Sequence, residues 1–308
     1  MRHLSRGDRV GIAAPSSPVD EEIFSRGIRL LEDAGFKVEW NPSLLSSKGY
    51  LAGSDERRVN ELNGFILDVG VKAVFIARGG YGLLRIIDRI DFEALRMNPK
   101  PFIGFSDSTA LISYISSALN VFSLHGAMAA TSAILDGGDS HIELIFRILT
   151  DKVEYPHRLY EGLIPEGGTS HVEGEICGGC LSVLCSLLAT PYFPYLGGKI
   201  LFLEEVGEKA YRVDRLVTQL RLAGVFEEAK AVLMGRFVPV KGERGAILEN
   251  ILIETCRSEG ISLFTGYPGG HEGENLPLPL GVPARIEIQG DRADLLILES
   301  PFQAGKEG

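Results

Sequence analysis

Ser106 is the first residue whose surroundings point to chemistry. It lies in PFIGFSDSTAL (residues 101–111), where an apolar run ends in four polar residues before a helical pattern begins. A sharp strand-to-helix turn can present a nucleophilic hydroxyl, although the Gly-x-Ser-x-Gly fingerprint is only half matched because Ser108 takes the second glycine position. The N-terminus of the following helix would offer backbone N–H groups to an oxyanion. Capping that helix is the commoner role of such a serine, so both roles stay open here.

A serine nucleophile needs a base, and two of the six histidines are candidates. His271 lies in YPGGHEGENLPLPLG, a Gly- and Pro-rich loop of the kind in which catalytic groups concentrate. His125 ends the apolar pattern VFSLHG and could reach the same sheet edge or be a core histidine. We favour His271. Glu204 and Glu205 close the apolar pattern KILFLEE, and strand alternation allows at most one of them to orient the base.

The segment ARGGYG (residues 77–82) ends another apolar strand pattern. Consecutive glycines let the backbone approach a ligand and point N–H groups at it, which suits a second oxyanion donor. Its spacing is neither Gly-x-Gly-x-x-Gly nor a Walker A sequence, so a nucleotide site is only weakly supported. Arg78 is a candidate for binding a substrate carboxylate, and a solvated or paired surface arginine is as good an interpretation.

Composition excludes several classes of function. The chain has 308 residues with a net charge of -10, and no basic run is interleaved with aromatic residues, so we expect no nucleic-acid partner. We expect neither export nor a membrane span, because no apolar stretch is long enough. Four cysteines do not form a disulfide framework in a chain of this length, which favours a cytoplasmic location. The single Cys-x-x-Cys at Cys177 and Cys180 has no second pair, so we interpret both as small buried residues and expect no metal site.

Short apolar strand patterns alternate with helical patterns in the first half, which predicts βαβ units and a parallel sheet. Such sheets place their chemistry at the carboxyl ends of the strands. One of the predicted helices is GLLRIIDRIDFEAL (residues 82–95). We predict a first domain at 1–155, a linker at 156–169 where periodicity is lost, and a smaller β/α domain at 170–308. The C-terminal tail predicts a β-hairpin around Gly290 and Asp291.

Taken together, the motifs resemble those of one family. In chain order they are GYLAGSDERRVNELN, ARGGYGLLRIIDRIDF, NPKPFIGFSDSTAL, LHGAM, CGGCLSVLCSLLATPYFP, ILFLEEVGEKAYRVDRLVTQLRLAG and GHEGENLPLPLGVPARI. The set resembles the LD-carboxypeptidases, the S66 serine peptidases that include the microcin self-immunity peptidases. The resemblance runs from about Val10 to Ile288.

This resemblance implies a flavodoxin-like N-terminal domain with helices on both faces of its sheet, and a small swivelling β/α C-terminal domain. It implies a catalytic triad of Ser106, Glu204 and His271. It implies an oxyanion hole formed by the backbone N–H groups of Asp107 and Gly80. We expect the side chain of Asp107, with that of Ser108 or Thr109, to cap the helix.

The implied reaction is release of the terminal D-Ala from an L,D-linked murein tetrapeptide in cell-wall recycling. The resemblance implies no metal or other cofactor, a muropeptide as the substrate partner, and a homodimer. Arg78 and Tyr81 are the substrate-binding candidates. Where the family pattern leads us to expect Asn, in GGNL, this chain has Cys180, which leaves the triad intact but opens the question of substrate preference.

Three alternatives remain open on the sequence alone. One is an immunity-type peptidase that cleaves a microcin-like peptide–nucleotide amide. A second is a non-catalytic two-domain protein that binds a small ligand without turnover. A third is a nucleotide-dependent enzyme that uses RGGYG for phosphate, and the missing acidic residue about 20 positions after a proper glycine motif counts against it.

Overall fold

The computed structural model describes residues 1–131, 138–167 and 171–302. Within these ranges the chain forms an open sheet and a closed barrel. Residues 168–170 and 303–308, which include part of the predicted linker and both ends of the predicted second domain, lie outside the described residues.

The N-terminal sheet is mainly parallel, as the strand and helix patterns predicted, and has the flavodoxin-like order that the family resemblance implied. Its strands, from one edge to the other, are β2 (Lys37–Glu39), β1 (Arg9–Ala13), β3 (Val71–Ile76), β4 (Phe102–Gly104), β5 (Ser123–His125) and β11 (Leu278–Leu280). The first five are parallel, and the order 2-1-3-4-5 is that of doubly wound nucleotide-type folds. Strand β11 comes from far along the chain and pairs antiparallel with β5.

Helices connect the parallel strands and cover the sheet. They are α1 (Glu21–Asp33), α2 (Asp55–Leu67), α3 (Phe92–Met97), α4 (Thr109–Ala118) and α5 (Gly138–Leu149). Ser54 caps α2 by accepting the N–H of Arg57 at 3.2 Å.

The single helix predicted over 82–95 is wrong. Two 3₁₀ turns, Leu83–Arg85 and Ile87–Arg89, precede the short α3. Gly82 has φ +147°, and Asp91 accepts the N–H of Ala94 at 2.8 Å to start a new helix. The apolar spacing of these residues is helical, but their capping residues and tertiary hydrogen bonds divide the segment.

The second domain is a closed seven-stranded barrel. Its strands, in barrel order, are β10 (Ser262–Thr265), β6 (His157–Pro165), β13 (Arg292–Ile297), β12 (Pro283–Gln289), β7 (His171–Cys180), β8 (Ile200–Glu208) and β9 (Ala231–Pro239). The helices of this part are α6 (Leu181–Leu187), α7 (Ala210–Leu222), α8 (Val225–Glu228) and α9 (Gly245–Glu259). The predicted C-terminal hairpin is confirmed, because β12 and β13 pair antiparallel from Ala284–Ile297 to Gln289–Arg292.

Most of the predicted linker is regular structure. Residues 157–165 form β6, which pairs with β13 and β10. Its buried positions, Leu159 and Leu163, are four residues apart, and Gly162 between them has φ +98° where the register with β13 shifts. A bulge of this kind disturbs strand alternation, which is why the sequence pattern looked irregular.

The loop between β10 and β11 crosses from the barrel to the open sheet and carries His271. Its far end is fixed by β11, where Leu278 pairs with His125. Because β5 neighbours β4, this pairing brings the loop over the carboxyl ends of the central strands. One apolar core runs from the sheet into the barrel and includes Ile103 and Phe202.

Candidate active site

Ser106 lies between β4 and α4, in a 3₁₀ turn of residues 106–108. Its φ is +63°, in the left-handed region that residues other than glycine seldom adopt. Such backbone strain is typical of functional sites and of the nucleophile elbow in particular. Gly104 permits the turn, since a Cβ there would lie 2.6 Å from Oγ of Ser108. The Ser106 side chain is partly exposed.

The predicted helix caps are wrong, because all three side chains have tertiary or local partners instead. Asp107 accepts hydrogen bonds from Ser16 and Leu83 through its buried carboxylate. The Ser108 hydroxyl donates back to the carbonyl of Phe105 at 2.8 Å. Thr109 Oγ1 accepts the N–H of Cys180 at 3.1 Å, which ties the start of α4 to the barrel. Capping preference is local, whereas the partners of Asp107 and Thr109 are distant in sequence, and Ser108 donates back to the residue before the turn.

Glu204 and His271 lie in contact. Nδ1 of His271 is 2.8 Å from Oε2 of Glu204, and the His271 backbone N–H donates to the same oxygen at 3.3 Å. Glu204 is fully buried. Gly270 makes room for it, because a Cβ at that position would lie 2.8 Å from Oε2. Since Nδ1 faces the carboxylate, Nε2 is the ring nitrogen left for a nucleophile.

Glu205 points elsewhere, as strand alternation requires. Its carboxylate accepts the backbone N–H groups of Ser182 at 2.7 Å and Val206 at 2.8 Å. Both glutamates are buried in the middle of β8, which continues to Glu208, instead of closing the strand. The register with β9 shifts between Leu203 and Glu205, and such bulges are frequent beside active sites.

The electrostatics of this pair favour a charged His271. Burial lowers the pKa of His271, but the charge of Glu204 and its hydrogen bond, with smaller contributions from Glu205 and Glu272, leave the pKa raised. A nearby carboxylate favours imidazolium in this way and also stabilises the charge that forms when a histidine accepts a proton.

His125, the second candidate base, is fully buried below the site. Its ring packs between Phe105 and Phe202, with centroid distances of 5.7 and 4.9 Å. Burial lowers the pKa of His125 to about 4, against the opposing charge of Glu204. Within the described ranges neither ring nitrogen has a hydrogen-bond partner. His125 is therefore a neutral core residue that does not reach the surface where Ser106 lies.

The glycine turn (residues 79–82) follows β3 and lies against Ser106. A Cβ at Gly79 would be 2.7 Å from Cβ of Ser106, so only glycine fits beside the serine. Gly80 has φ +98° and abuts Ser17, whose Oγ accepts the N–H of Tyr81 at 3.2 Å. The N–H groups of Gly80 and Asp107 donate to no other residue in the part of the chain that the structure describes.

The two substrate-binding candidates differ in position. Arg78 lines the cleft, and its Nη1 donates to the carbonyl of Pro18 at 2.7 Å, which leaves its other N–H groups for a ligand. The Tyr81 ring is 45% exposed and packs against Tyr50, with ring centroids 5.9 Å apart.

Several of the candidate residues line a single cleft, which has a volume of about 810 Å³. Ser106, His271, Gly80 and Arg78 all line it, and the Phe105 ring contacts the His271 ring at a centroid distance of 4.9 Å. Across residues 1–131, 138–167 and 171–302, Ser106 Oγ has no hydrogen-bond partner. The structure thus shows the contact between Glu204 and His271 formed and Ser106 in the same cleft as His271, with no hydrogen bond between Ser106 and His271.

Comparison with known proteins gives the family. Residues 10–126 match the LD-carboxypeptidase N-terminal domain, and residues 173–286 match the LD-carboxypeptidase C-terminal domain. The chain belongs to the LD-carboxypeptidase family.

Three relatives place it within that family. A probable murein peptide carboxypeptidase of Bacillus subtilis is 35% identical over 92% of this chain and 90% of its own length. The microcin C7 self-immunity protein MccF of Escherichia coli is 25% identical over 98% of this chain and 96% of its own length. The solved muramoyltetrapeptide carboxypeptidase of Oxalobacter formigenes is 27% identical with a TM-score of 0.78, covering 95% of this chain and 99% of its own. The resemblance stated from the motifs is confirmed, and so is the two-domain α/β fold.

Cys180 is buried, as are the other three cysteines. Its thiol lies 3.3 Å from Oγ of Ser182 and 3.8 Å from a carboxylate oxygen of Glu205. Burial, with the charges of Glu204 and Glu205, holds the pKa of this thiol well above its usual range. A neutral thiol therefore lies in β7 at the position where we expected Asn, opposite Glu204 in the strand register.

Sequence reasoning missed the residues that support the glycine turn. Arg58 is fully buried, although in the sequence it is only one of several charged residues in the segment that forms α2. Ser16 and Ser17 lie in the polar strand end APSS, which was the signal that could have identified them. In the described part of the chain, no group of three or more His, Cys, Asp or Glu side chains could hold a metal ion, and no helix could span a membrane.

Proposed function

We propose that the protein is a metal-independent serine carboxypeptidase that hydrolyses an L,D peptide bond and releases the terminal D-Ala of a murein tetrapeptide. One observation carries the proposal: Ser106, held at φ +63° on a strand-to-helix elbow, shares a cleft with the bonded Glu204–His271 pair. The carboxypeptidase names of relatives in the same family support the reaction, and the murein names support the substrate.

The first step acylates the enzyme. Nε2 of His271 takes the Ser106 proton while Oγ attacks the carbonyl carbon of the bond before D-Ala. Glu204 holds the imidazole by its Nδ1–H and stabilises the imidazolium. The N–H groups of Gly80 and Asp107 donate to the oxyanion, and each such donor contributes about 3–4 kcal/mol in comparable sites. Collapse of the tetrahedral intermediate breaks the C–N bond, and His271 gives its proton to the departing amine of D-Ala.

The second step uses water. His271 takes a proton from water as the hydroxide attacks the acyl ester, and returns it to Ser106 Oγ when the ester bond breaks. For the serine to reach His271, its side chain must turn towards Nε2 when substrate fills the cleft. Catalytic hydrogen bonds are often unformed without substrate, so the unbonded Ser106 is consistent with this mechanism.

A carboxypeptidase must recognise a free terminal carboxylate. Arg78, which lines the cleft beside the glycine turn, has guanidinium N–H groups free for this purpose. A guanidinium can bind a carboxylate through two parallel hydrogen bonds. Tyr81, which is exposed and follows Gly80 in the glycine turn, is the second substrate-binding candidate of this proposal. We further propose that the enzyme acts in the cytoplasm as a homodimer in cell-wall recycling.

A substrate panel tests the proposal. Purified enzyme is incubated with murein tetrapeptide, with the same peptide carrying L-Ala at its end, and with an aspartyl sulfamoyl adenosine-type amide, each with and without EDTA. We expect D-Ala release from the first substrate only, at the same rate in EDTA. Turnover of the amide alone would support the immunity-type alternative, for which the MccF relative is the reason. Binding of tetrapeptide without turnover would contradict an enzyme and support the ligand-binding alternative.

A further inference from the structure

The side chain of Asp107 has no part in the mechanism above, yet it is buried at the centre of the site. Its Oδ2 accepts the Ser16 hydroxyl at 2.5 Å and the Leu83 backbone N–H at 2.9 Å. Leu83 directly follows the glycine turn, and Ser16 belongs to the segment packed against that turn. The Asp107 carboxylate therefore binds both the residue that follows the glycine turn and a residue of the segment packed against that turn.

Arg58 holds the same region from α2. Its fully buried guanidinium donates to the carbonyl of Gly82 at 2.7 Å and to the carbonyl of Pro15. It also pairs with Asp55, which Arg85 binds from the other side. Arg58 therefore links the glycine turn to the segment that follows β1. Asp107 links the residue after the turn to the nucleophile elbow.

The backbone and the side chain of Asp107 thus have separate roles in the proposed oxyanion site. The backbone N–H of Asp107 is one proposed donor, and Gly80, inside the turn that the carboxylate holds, supplies the other. We propose that the Asp107 side chain positions the glycine turn against Ser106, so that a single residue sets the separation of the two oxyanion donors. This inference rests on the proposed function for its catalytic consequence, but the positioning itself is a property of the structure.

Removing the carboxylate would leave the buried Leu83 N–H and the Ser16 hydroxyl without their acceptor. Buried donors do not stay unpaired without cost, so the turn would move to find other partners. Asparagine has the same shape and keeps one carbonyl oxygen that can accept both hydrogen bonds, so it should retain the position of the turn.

The test compares Asp107→Ala with Asp107→Asn. Each variant keeps the backbone N–H at position 107. Ser116→Ala is the control, because the hydroxyl of that buried serine donates at 3.1 Å to Ser113 within α4 and does not contact the turn. Two measurements are made on each: amide hydrogen exchange of the peptide covering residues 78–86, and kcat and KM for D-Ala release from murein tetrapeptide.

For Asp107→Ala we expect exchange in residues 78–86 at least about 10-fold faster than in wild type, because a held segment becomes locally open. We expect kcat to fall about 100-fold with KM within about 2-fold, since loss of one oxyanion donor costs about 100- to 1,000-fold. Asp107→Asn should recover kcat to within about 10-fold of wild type, and Ser116→Ala should match wild type in both measurements. If Asp107→Ala does not fold, Ser16→Ala should show the same pattern, with kcat about 10-fold lower.

Unchanged exchange in residues 78–86 of a folded Asp107→Ala protein would overturn the inference. An equal loss of kcat in the alanine and asparagine variants would also overturn it, because that result would assign the effect to charge instead of position. If wild type releases no D-Ala, the proposed function fails, and the exchange comparison alone then decides whether Asp107 positions the turn.

Discussion

Replacing Glu204 by glutamine tests the role of the buried carboxylate with little change in its shape. Oε2 of Glu204 accepts the Nδ1–H of His271 at 2.8 Å and the His271 backbone N–H at 3.3 Å. A hydrogen bond to a charged group contributes about 1.5–3 kcal/mol, which corresponds to about 10- to 150-fold in rate. A glutamine amide can also turn its NH₂ group to Nδ1, and selection of the wrong imidazole tautomer costs about 10⁴-fold in an established triad. We therefore expect kcat at pH 7 to fall between about 10- and 10,000-fold.

The same variant has a pH signature. In wild type, burial lowers the pKa of His271, and the charge and hydrogen bond of Glu204 outweigh that effect and raise it. In Glu204→Gln the burial remains, the two largest raising contributions are lost, and only the smaller ones of Glu205 and Glu272 persist, so the pKa of His271 falls. Because only neutral histidine can take the serine proton, the acid limb of kcat/KM should move to lower pH.

Steady-state release of D-Ala from pH 4.5 to 9 measures both effects. The matched control is Glu205→Gln, which replaces the neighbouring buried glutamate on the opposite face of β8. We expect its kcat to stay within about 5-fold of wild type, because its carboxylate accepts backbone N–H groups and does not contact His271. A Glu204→Gln enzyme with wild-type kcat, or with an acid limb at unchanged or higher pH, would refute this reasoning.

Three further predictions concern single positions. Gly79→Ala should lower kcat about 100-fold, because its Cβ would lie 2.7 Å from Cβ of Ser106 and displace that residue. The control Gly64→Ala lies in open space on α2, so it should keep wild-type activity and raise the free energy of unfolding by about 0.5–1 kcal/mol. Equal activity of the two variants would contradict this prediction. His125 has a pKa of about 4 in the folded protein and about 6.5 unfolded, so the unfolded state binds the extra proton between these values and wild-type stability falls as pH drops through them. In urea unfolding, His125→Phe should therefore gain about 2 kcal/mol relative to wild type between pH 7 and pH 4.5, and a constant difference would exclude a buried neutral histidine. Arg78→Gln should raise KM about 10-fold for tetrapeptide with little change in kcat, and should have no effect on a substrate with an amidated end; an unchanged KM for the free acid would remove Arg78 from carboxylate binding.

The sequence was informative where local patterns and structure agree. Alternating strand and helix patterns predicted the parallel sheet, and Ser106 and the glycine turn follow β4 and β3 directly, as those patterns indicated. Alternation along KILFLEE showed that Glu204 and Glu205 face opposite ways, and the structure places only Glu204 on His271. These features depend on residues close together in the chain, which is why periodicity reveals them.

The rest depends on contacts between distant residues. Nothing in LPL identifies β11, a three-residue strand that contains a proline and lies between Pro277 and Gly281, yet its pairing with β5 brings the His271 loop to the cleft that Ser106 lines. Likewise, residues 107–109 have the composition of a helix cap, but the side chains of Asp107 and Thr109 form hydrogen bonds with residues distant in sequence instead. Where a polar residue has both local and distant partners, only the folded structure shows which it uses.

The helix predicted over 82–95 fails for the same reason. Its apolar spacing is helical, but the Leu83 N–H donates a hydrogen bond to Asp107, and the Gly82 carbonyl accepts one from Arg58. Each contact belongs to the support of the glycine turn, so the irregular backbone here is part of the site.

The most direct test of the central claim is the rate of D-Ala release from murein tetrapeptide by Ser106→Ala beside wild type. The Oγ atom is the proposed nucleophile, and removing it leaves the cleft, the Glu204–His271 pair and the oxyanion donors in place. We predict release at least about 1,000-fold slower than wild type, since loss of the serine from a triad removes nearly all of its catalysis. Release by Ser106→Ala at the wild-type rate would contradict the account.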